Sequence, residues 1–346
     1  MRVHFLLFYL CFFMVHADET VNLQFKGPEI YKMQWGIGRP NFVDLNEDGK
    51  LDFIITDVVK GKLELHISTT AEEQNKAIPT SEDVNNITYD NKYRVEYFLT
   101  ENQIVGVWAG KIIDTAKTNI VYATGTNELF ILGKNENGVW VKEVSFEIKP
   151  IINQGFQNIF VADFNNDKLK DIMLVGTLGF EFRYQNKDKS FSNGSLHPID
   201  DPFNNKILEV FIFDLNDDKK LDIAYLTNGD NFLKYHLQLE DGSLSAEHTM
   251  EGDKILSGSL NHLDTKNEKK IFISSIQSKS NAVSINQVNF ESSENKSHKI
   301  FGTPEFLLLP EAKKPYTILL DDVNGDGNKD IIATTAAAAE IIVYLL

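Results

Sequence analysis

The amino-acid sequence predicts an all-β fold built from a unit that is repeated along the chain. Three observations predict it: short runs rich in branched and aromatic residues, turn-forming stretches such as "NENG" between these runs, and an acidic motif that returns at intervals. Runs of this kind, separated by turn residues, are typical of β-strands and hairpins. A repeat on the scale of one small sheet indicates a repeat architecture.

The chain opens with an apolar segment, "MRVHFLLFYLCFFMVHA", that is too short to span a membrane. Arg2 precedes the apolar run, and Val15 and Ala17 occupy the small-residue positions before a cleavage site. We therefore predict a signal peptide at residues 1–17, followed by a single domain at 18–346 that is secreted to the extracellular space. An apolar N-terminal strand is the alternative interpretation of this segment.

The composition limits the partners of the protein, its disulfides and its attachment to a membrane. The chain carries 34 Lys and Arg residues against 50 Asp and Glu residues, a formal net charge of −16, which argues against nucleic acid as a partner. Its single cysteine, Cys11, lies in the predicted signal peptide, so we expect no disulfide. The apolar C-terminal segment is short and is interrupted by Glu340, so we predict no membrane span. We expect a monomer.

An acidic motif, D-x-N-x-D-x-x-x-D followed by an apolar run, occurs four times. The copies are "DLNEDGKLD" from Asp44, "DFNNDKLKD" from Asp163, "DLNDDKKLD" from Asp214 and "DVNGDGNKD" from Asp322. Two eroded copies are "DTAKTNIVYATG" from Asp114 and "DTKNEKKIFISS" from Asp264. The six starts are separated by 70, 49, 51, 50 and 58 residues. The sequence therefore contains six units of similar length.

Each unit follows the same plan of four strands. An apolar stretch such as "NFV" or "IFVA" leads into the acidic motif, a second strand leaves it, and a third strand such as "KLELHI" or "FEFRYQ" follows. Several third strands turn through "NENG", "NKDK" or "EDGS" into a fourth, such as "VWVKE" or "SLSAE". Four antiparallel strands per unit, repeated radially, predict a β-propeller of six, or alternatively seven, four-stranded antiparallel blades with calcium loops.

Two segments depart from the regular plan. A polar insertion at residues 71–93 lengthens the first unit, and we predict that it forms a loop on one face. The last unit ends after its third strand, "EIIVYLL". We expect residues 21–26 to pair with this unit as its fourth strand, because a propeller must protect its strand edges. This pairing would close the ring.

The acidic motif offers the ligands that calcium prefers. Side-chain oxygens at positions 1, 3, 5 and 9 and a backbone carbonyl at position 7 would give each loop several hard oxygen ligands. Without a cation, two carboxylates about 4 Å apart repel by roughly 4 kcal/mol at an effective dielectric near 20. An EF-hand is excluded, because its loop needs Glu at position 12, where this chain has Ile55, Leu174, Tyr225 and Ala333. Asp- and Asn-rich turns without metal are the alternative.

The repeat resembles the FG-GAP or VCBS repeats of integrin α-subunit propellers and related secreted proteins. The Phe-Gly and Gly-Ala-Pro elements that name the family are mostly missing, and only "WGIGRP", from Trp35, resembles a remnant of them. The resemblance implies about four Ca²⁺ sites. The implied side-chain ligands are Asp44, Asn46, Asp48, Asp52, Asp163, Asn165, Asp167, Asp171, Asp214, Asn216, Asp218, Asp222, Asp322, Asn324, Asp326 and Asp330. The position 7 carbonyls belong to Lys50, Leu169, Lys220 and Asn328.

The resemblance implies a module that binds an extracellular or cell-surface protein, in adhesion or immunomodulation. No H-E-x-x-H, G-x-S-x-G or P-loop motif occurs, so we do not expect an enzyme. A lectin-like propeller that binds glycans is the first alternative, and a polysaccharide lyase or hydrolase that uses the central channel is the second.

Two further residue classes have predicted places. His66, His197, His236, His248, His262 and His298 show no metal-ligand spacing, so we expect them to be packed or at the surface. Three N-x-S/T sequons lie in polar connecting segments, where a secreted β-protein can carry glycans. They predict N-glycosylation at Asn86, Asn193 and Asn295.

Overall fold

The computed structural model describes the chain from residue 40 onward, with gaps. The described residues are 40–57, 61–70, 92–113, 116–151, 157–228, 233–251, 255–265, 268–277, 282–288, 297–299, 305–308, 315–321, 330–335 and 341–345. These ranges contain 24 strands. In this part of the chain there is no helix that is long and apolar enough to cross a membrane.

The strands form six sheets, which we number as blades 1 to 6 in chain order. Blade 1 holds β1 (Asn41–Val43), β2 (Asp52–Asp57), β3 (Lys62–Ser68) and β4 (Tyr93–Leu99). Blade 2 holds β5 (Ile104–Gly110), β6 (Asn119–Thr124), β7 (Glu128–Lys134) and β8 (Trp140–Glu147). Blade 3 holds β9 (Ile159–Ala162), β10 (Asp171–Gly176), β11 (Gly179–Arg183) and β12 (Ser195–Pro198).

The remaining strands complete blades 4 to 6. Blade 4 holds β13 (Ile207–Phe213), β14 (Asp222–Thr227), β15 (Leu233–His236) and β16 (His248–Glu251). Blade 5 holds β17 (Ile255–Thr265), β18 (Glu268–Gln277) and β19 (Ala282–Val288). The chain continues with β20 (Ser297–Lys299), which joins blade 4, and β21 (Glu305–Leu308), which returns to blade 5. Blade 6 holds β22 (Pro315–Asp321), β23 (Asp330–Thr335) and β24 (Ile341–Tyr344).

The blades are arranged around their first strands. Strands that are neighbours in a blade and in the sequence pair antiparallel, as in β1 with β2 and β2 with β3. First strands of successive blades also contact one another, as in β1 with β5, β5 with β9, and β17 with β22. Sheets that succeed one another in this way, with their first strands innermost, form a β-propeller. The prediction of an all-β propeller fold is confirmed.

The core lies between the blades. The second strands of blades 1 to 4, which are β2, β6, β10 and β14, are buried at every residue. This burial explains their near-continuous apolar sequences, since a strand covered on both faces has no solvent side. Leu63 and Leu65 of blade 1 pack with Ile120 and Tyr122 of blade 2, for example. Blades 2 and 3 thus each supply one wall of two apolar layers.

The predicted four-strand plan is confirmed in blades 1 to 3, and one strand was placed wrongly in blade 4. "SLSAE", residues 243–247, was predicted as the fourth strand, but this segment makes only the isolated bridge between Leu244 and Gln238. The serine side chains explain the difference: the Ser245 hydroxyl accepts the backbone N–H of Leu237 and interrupts the ladder. Pairing resumes at β16.

The two eroded copies of the motif differ from their predicted form. In blade 2, Gly110 pairs with Asn119, so eight residues separate the strands and the loop starts at Lys111, three residues before Asp114. In blade 5, Asp264 lies within β17, and Thr265 pairs with Glu268. Blade 5 therefore reverses direction in a short hairpin instead of an acidic loop.

Several predictions lie outside the described residues. These are the signal peptide at 1–17, the closing strand at 21–26, Trp35, all but the last two residues of the insertion at 71–93, the acidic residues Asp322, Asn324 and Asp326 with Asn328, and the sequons at Asn86 and Asn295. The remaining sequon asparagine, Asn193, is exposed next to β12 in blade 3. Blade 6 shows three strands in the described ranges, as its sequence predicts.

Candidate metal centre

The acidic motifs of blades 1, 3 and 4 form loops of equal length between the first and second strands. The strand pairs that flank them are Val43 with Asp52, Ala162 with Asp171, and Phe213 with Asp222. Each pair leaves eight residues between the strands, and the aspartate at position 9 begins the second strand. We call these segments acidic loops 1, 3 and 4, after their blades.

In acidic loop 1 the side chains at positions 1, 3 and 5 fold back on the loop's own backbone. Asp44 Oδ1 and Oδ2 accept the N–H groups of Asp48 and Gly49, at 3.2 and 2.8 Å. Asn46 accepts the N–H of Asp48 at 3.3 Å and donates from Nδ2 to the Asp48 carboxylate at 3.0 Å. Asp48 Oδ1 accepts the N–H of Lys50 at 2.8 Å. The loop is therefore held by five short-range hydrogen bonds.

The same five hydrogen bonds recur in acidic loops 3 and 4, with Asp163, Asn165 and Asp167 or Asp214, Asn216 and Asp218 in the three roles. Three loops of different sequence thus adopt one conformation. Because their shared residues are the motif residues, the motif and not the intervening residues specifies the loop.

The aspartate at position 9 has a different environment from the others. Asp52, Asp171 and Asp222 are 0 % exposed. In each, Oδ2 accepts the N–H of the position 2 residue, at 2.8 to 2.9 Å. Oδ1 accepts an N–H at the end of the third strand, at 2.7 to 2.8 Å. This carboxylate ties the loop to two strands of its own blade.

Burial changes the proton affinity of the position 9 aspartates in acidic loops 3 and 4. It raises the pKa of both Asp171 and Asp222 to about 6, against the opposing effect of the two N–H donors. At exposed position 5, by contrast, the N–H of Lys50 lowers the pKa of Asp48. Acidic loops 3 and 4 therefore each contain one buried carboxylate that holds a proton more readily than an ordinary aspartate does.

The residues at position 7 differ between the loops. The Lys50 ammonium donates to the carbonyl of Thr69 at 3.2 Å, whereas Leu169 has no charge. The Lys220 ammonium lies 3.3 Å from Asp218 Oδ2 and 2.7 Å from Glu240 Oε1. Acidic loop 4 therefore already has one cation beside a predicted calcium ligand, and the other two loops do not share this pair.

The loop residues fit calcium in their donor chemistry. In each loop the polar side-chain atoms at positions 1, 3 and 5 are all oxygens, apart from the amide nitrogen of the Asn at position 3. A carboxylate oxygen that accepts one N–H keeps a further lone pair with which it can bind a cation. Within the described ranges, no group of three or more His, Cys, Asp or Glu side chains forms a ready metal cluster. Binding would draw on Asn at position 3 and the carbonyl at position 7 as well, and calcium at these loops stays a prediction.

The loops also connect the blades, through the carbonyl at position 2. Gln238 at the end of the third strand of blade 4 donates to the carbonyl of Phe164 in acidic loop 3. Gln185 of blade 3 donates to the carbonyl of Ile112 in blade 2 at 3.2 Å. Lys134 of blade 2 donates to the carbonyl of Leu45 in acidic loop 1 at 3.1 Å. In each of blades 2, 3 and 4, one side chain thus bonds to the loop of the blade before it.

Sequence reasoning missed these connecting side chains. Lys134, Gln185 and Gln238 occupy equivalent positions in their blades. Each lies two residues after the third-strand residue that pairs with the second residue of the second strand. Their sequence signal is weak, because a lone Gln or Lys after a strand is common. A second omission is the pair of His197 and His236, which lie 39 residues apart in sequence but 3.2 Å apart at their ring nitrogens.

Comparison with known proteins gives likenesses in structure alone. No protein-family model and no curated protein matches the chain. The chain is similar to BBS1N in complex with ARL6DN, in two crystal structures. For the crystal soaked with mercury the TM-score is 0.41 at 11% identity, over 90% of this chain and 93% of that chain. For the crystal soaked with lead the TM-score is 0.48 at 14% identity, over 88% of this chain and 78% of that chain. It is also similar to the β-propeller domain of Cps50 (Swd1) from Myceliophteria thermophila, at a TM-score of 0.43 and 9% identity, over 85% of this chain and 80% of that chain. Likenesses of this extent carry no argument about function.

Proposed function

We propose that this chain is a secreted, calcium-binding β-propeller that binds an extracellular or cell-surface protein through the loops of one face. The observation that supports calcium is the recurrence of one acidic loop, with the same hydrogen bonds, in blades 1, 3 and 4. Chain reversal does not require this loop, because blade 5 reverses between Thr265 and Glu268 without it. The acidic side chains therefore serve something other than the turn.

The geometry of the blades favours one face for binding. Each position 9 aspartate bonds to the end of the third strand, so the acidic loops and the turns between third and fourth strands lie at the same end of the blades. The long connection between β3 and β4 starts at this end too. Loops on a rigid β-scaffold are the usual carriers of binding residues. An adhesion or immunomodulatory role follows from the resemblance to FG-GAP repeats alone.

Isothermal titration and thermal unfolding test the calcium proposal. We expect about four calcium ions per chain with dissociation constants of roughly 0.1 to 1 mM, as for extracellular modules. A ligand that binds only the folded state stabilises it by about 2.7 kcal/mol per site at a hundredfold excess over the dissociation constant. Calcium should therefore raise the Tm above that in chelator, and magnesium should raise it less, because magnesium demands a stricter octahedron.

Matched variants separate ligands from structural carboxylates. Asp167→Ala should lower calcium stoichiometry and should lower the Tm in chelator less than Asp222→Ala does, because Asp167 is exposed. Asp222→Ala should lower the Tm with or without calcium, since two buried N–H groups lose their acceptor. Asp241→Ala, at an exposed hairpin aspartate outside the motif, is the control and should leave the calcium response intact. Equal melting curves in calcium and in chelator would refute the calcium proposal.

The partner class needs a separate experiment. We expect the calcium-loaded protein, immobilised through its C-terminus, to capture the same surface protein from independent cell-surface extracts, and to release it in chelator. A glycan array run in parallel distinguishes the lectin alternative. Binding to a defined glycan without any protein partner would contradict the proposed class.

A further inference from the structure

Two histidines meet in the contact between blades 3 and 4. His197 lies on β12, the last strand of blade 3, and His236 ends β15 in blade 4. Their nitrogens Nε2 and Nδ1 are 3.2 Å apart, and the ring planes are nearly perpendicular, at 84°. His236 is 1 % exposed, whereas His197 is partly exposed. The pair is thus a polar contact between two blades whose shared layer is largely apolar.

The hydrogen bonds around His236 define its protonation. His236 Nδ1 is 3.0 Å from the carbonyl oxygen of Ser245, which only accepts, so this nitrogen carries the hydrogen. His197 Nε2, which faces the same hydrogen, must then be the unprotonated, accepting nitrogen. On the other side of the ring, the Tyr225 hydroxyl is 3.5 Å from His236 Nε2. The contact therefore requires His197 to be neutral, with no hydrogen on Nε2.

Other ionisable groups surround the pair from each neighbouring element. Tyr225 of β14 donates its hydroxyl hydrogen to Glu247, whose other oxygen is 3.2 Å from the Lys234 ammonium of β15. Glu247 also accepts the N–H of Asp200 at 3.2 Å, which joins the connection between the two blades to the same cluster. His248 of β16 adds a further imidazole near His236. Glu247 is thus already engaged by three donors and has little capacity left for a histidinium.

We propose that His197 and His236 form an acid-sensitive latch between blades 3 and 4, which opens when the pair takes up a proton. In the neutral pair one hydrogen joins the two rings. Protonation of His197 at Nε2 instead places two N–H donors against each other, with 3.2 Å between their nitrogens. Protonation of His236 places a charge in a site that is 1 % exposed. Protonation of His197 thus removes the hydrogen bond between the rings, and protonation of His236 destabilises the buried site in which the contact lies.

The titration of the pair has the sign that such a latch requires. Burial lowers the pKa of His236 to about 4 and also lowers the pKa of His197, relative to their value of 6.5 in an unfolded chain. Because the unfolded state binds protons more readily, the contribution of the pair is complete above about pH 6.5 and is lost as the pH falls towards 4. The latch therefore acts between neutral pH and mild acid.

The opening has a defined place in the molecule. Asp200 begins the connection at 200–206, and this connection presents Phe203 with 83 % of its surface exposed. The connection is held to blade 4 through Glu247, which belongs to the same cluster as the latch. Acid should therefore loosen this connection and the strands β12 and β16 before it affects the layer between blades 1 and 2.

Two measurements at about pH 7 and pH 5 test the latch. One is amide hydrogen exchange, corrected for the intrinsic exchange rate at each pH, and the other is the Tm. In the wild type, acid should increase exchange in residues 195–206 and in β16, and leave β6 and β7 protected. His236→Asn keeps a donor where Nδ1 lies, and His197→Gln keeps an amide where Nε2 lies, but neither titrates. Both variants should show a smaller loss of Tm and of protection between the two pH values.

The double variant and a distant histidine complete the test. If the two histidines act as one unit, the double variant should have the pH dependence of either single variant, not the sum of both effects. His66→Gln, in blade 1, should leave the acid-induced exchange of 195–206 unchanged. If His236→Asn does not fold, His197→Gln still decides, since its side chain is partly exposed. Wild-type pH dependence in the variants, or a uniform loss of protection in all blades, would overturn the latch.

Discussion

Position 6 of the acidic loops requires a left-handed backbone, and two of the loops place lysine there. Lys168 and Lys219 have φ angles of 73° and 68°, whereas acidic loop 1 has Gly49 at 81°. A residue with a Cβ atom is disfavoured in this region by about 1 to 2 kcal/mol, and glycine is not. The motif in blade 6 carries Gly327 at the same position. The loops thus differ in local strain, although they share one hydrogen-bond pattern.

Lys168→Gly should therefore stabilise the protein in the absence of calcium. We expect a gain of about 0.5 to 1 kcal/mol in the free energy of unfolding, because the relief at φ exceeds the added entropy of the unfolded chain. The hydrogen bond from the backbone N–H of residue 168 to Asp163 is retained. Urea denaturation in chelator measures the change.

Lys170→Gly is the matched control for this prediction. Lys170 is an exposed residue in the same loop, and it does not have a positive φ angle. This variant should destabilise the protein slightly, since the glycine gains no relief and adds freedom to the unfolded chain. Equal effects of the two substitutions would show that the backbone at residue 168 is not strained.

The acidic motif predicted where the loops lie, but it did not separate the roles of its aspartates. The spacing places Asp44, Asp48 and Asp52 in one loop, and the structure does so. The sequence could not show that Asp52 is buried and accepts two backbone N–H groups, because the same residue type serves as a predicted exposed ligand and as a buried acceptor. Burial depends on the third strand, whose pairing the motif does not encode.

At the scale of the elements, a bond from the third strand to the preceding loop contributes to the attachment of one blade to the next in blades 2 to 4. Gln238 illustrates it: its side-chain amide donates to the carbonyl of Phe164, and its backbone N–H donates to Asp222 at 2.8 Å. Phe164 in turn donates its own N–H to Asp171 at 2.9 Å. A continuous series of hydrogen bonds therefore joins the loops of blades 3 and 4.

Gln238→Ala should weaken the attachment of blade 4 to blade 3. Because the carbonyl of Phe164 is buried at this contact and loses its side-chain donor, we expect a loss of about 1 to 3 kcal/mol in unfolding free energy. Gln157→Ala is the control, since the amide of Gln157 bonds only locally, to the carbonyl of Ile159 at 3.0 Å. Urea denaturation of both variants measures the difference. Equal stability of the two would mean that the bond between blades contributes nothing.

The sequence predicted elements better than their long-range pairing. Strands such as β2 and β10 were recognisable, because they are apolar and follow the acidic motif directly. The parallel pairing of β20 with β16 could not be predicted, since these strands are separated by all of β17 to β19. Local patterns report whether a segment is extended, but the partner of an edge strand depends on which edge is left open after the blades assemble.

At the scale of the whole molecule, ring closure is the prediction that matters most for stability. Blade 6 has three strands in the described ranges, and residues 21–26 are predicted to supply the fourth. Deleting residues 18–30 from the mature protein should therefore lower the Tm by several degrees and broaden the transition, because blades 1 and 6 would no longer be tied. Scanning calorimetry measures both effects. A deletion variant with the Tm and cooperativity of the full protein would contradict closure by this segment.

The strand β20 carries a consequence for how the chain is made. Its residues leave blade 5 to cover the outer edge of blade 4, pairing Thr249, Met250 and Glu251 with Ser297, His298 and Lys299. On a ribosome, blades 1 to 3 emerge with all their strands and can fold in order of synthesis. Blade 4 must wait with an open edge until most of blade 5 has been translated. Nascent chains of this protein therefore pass through a stage in which one unpaired strand is available to other chains, and this is the stage at which a chaperone would be of most use.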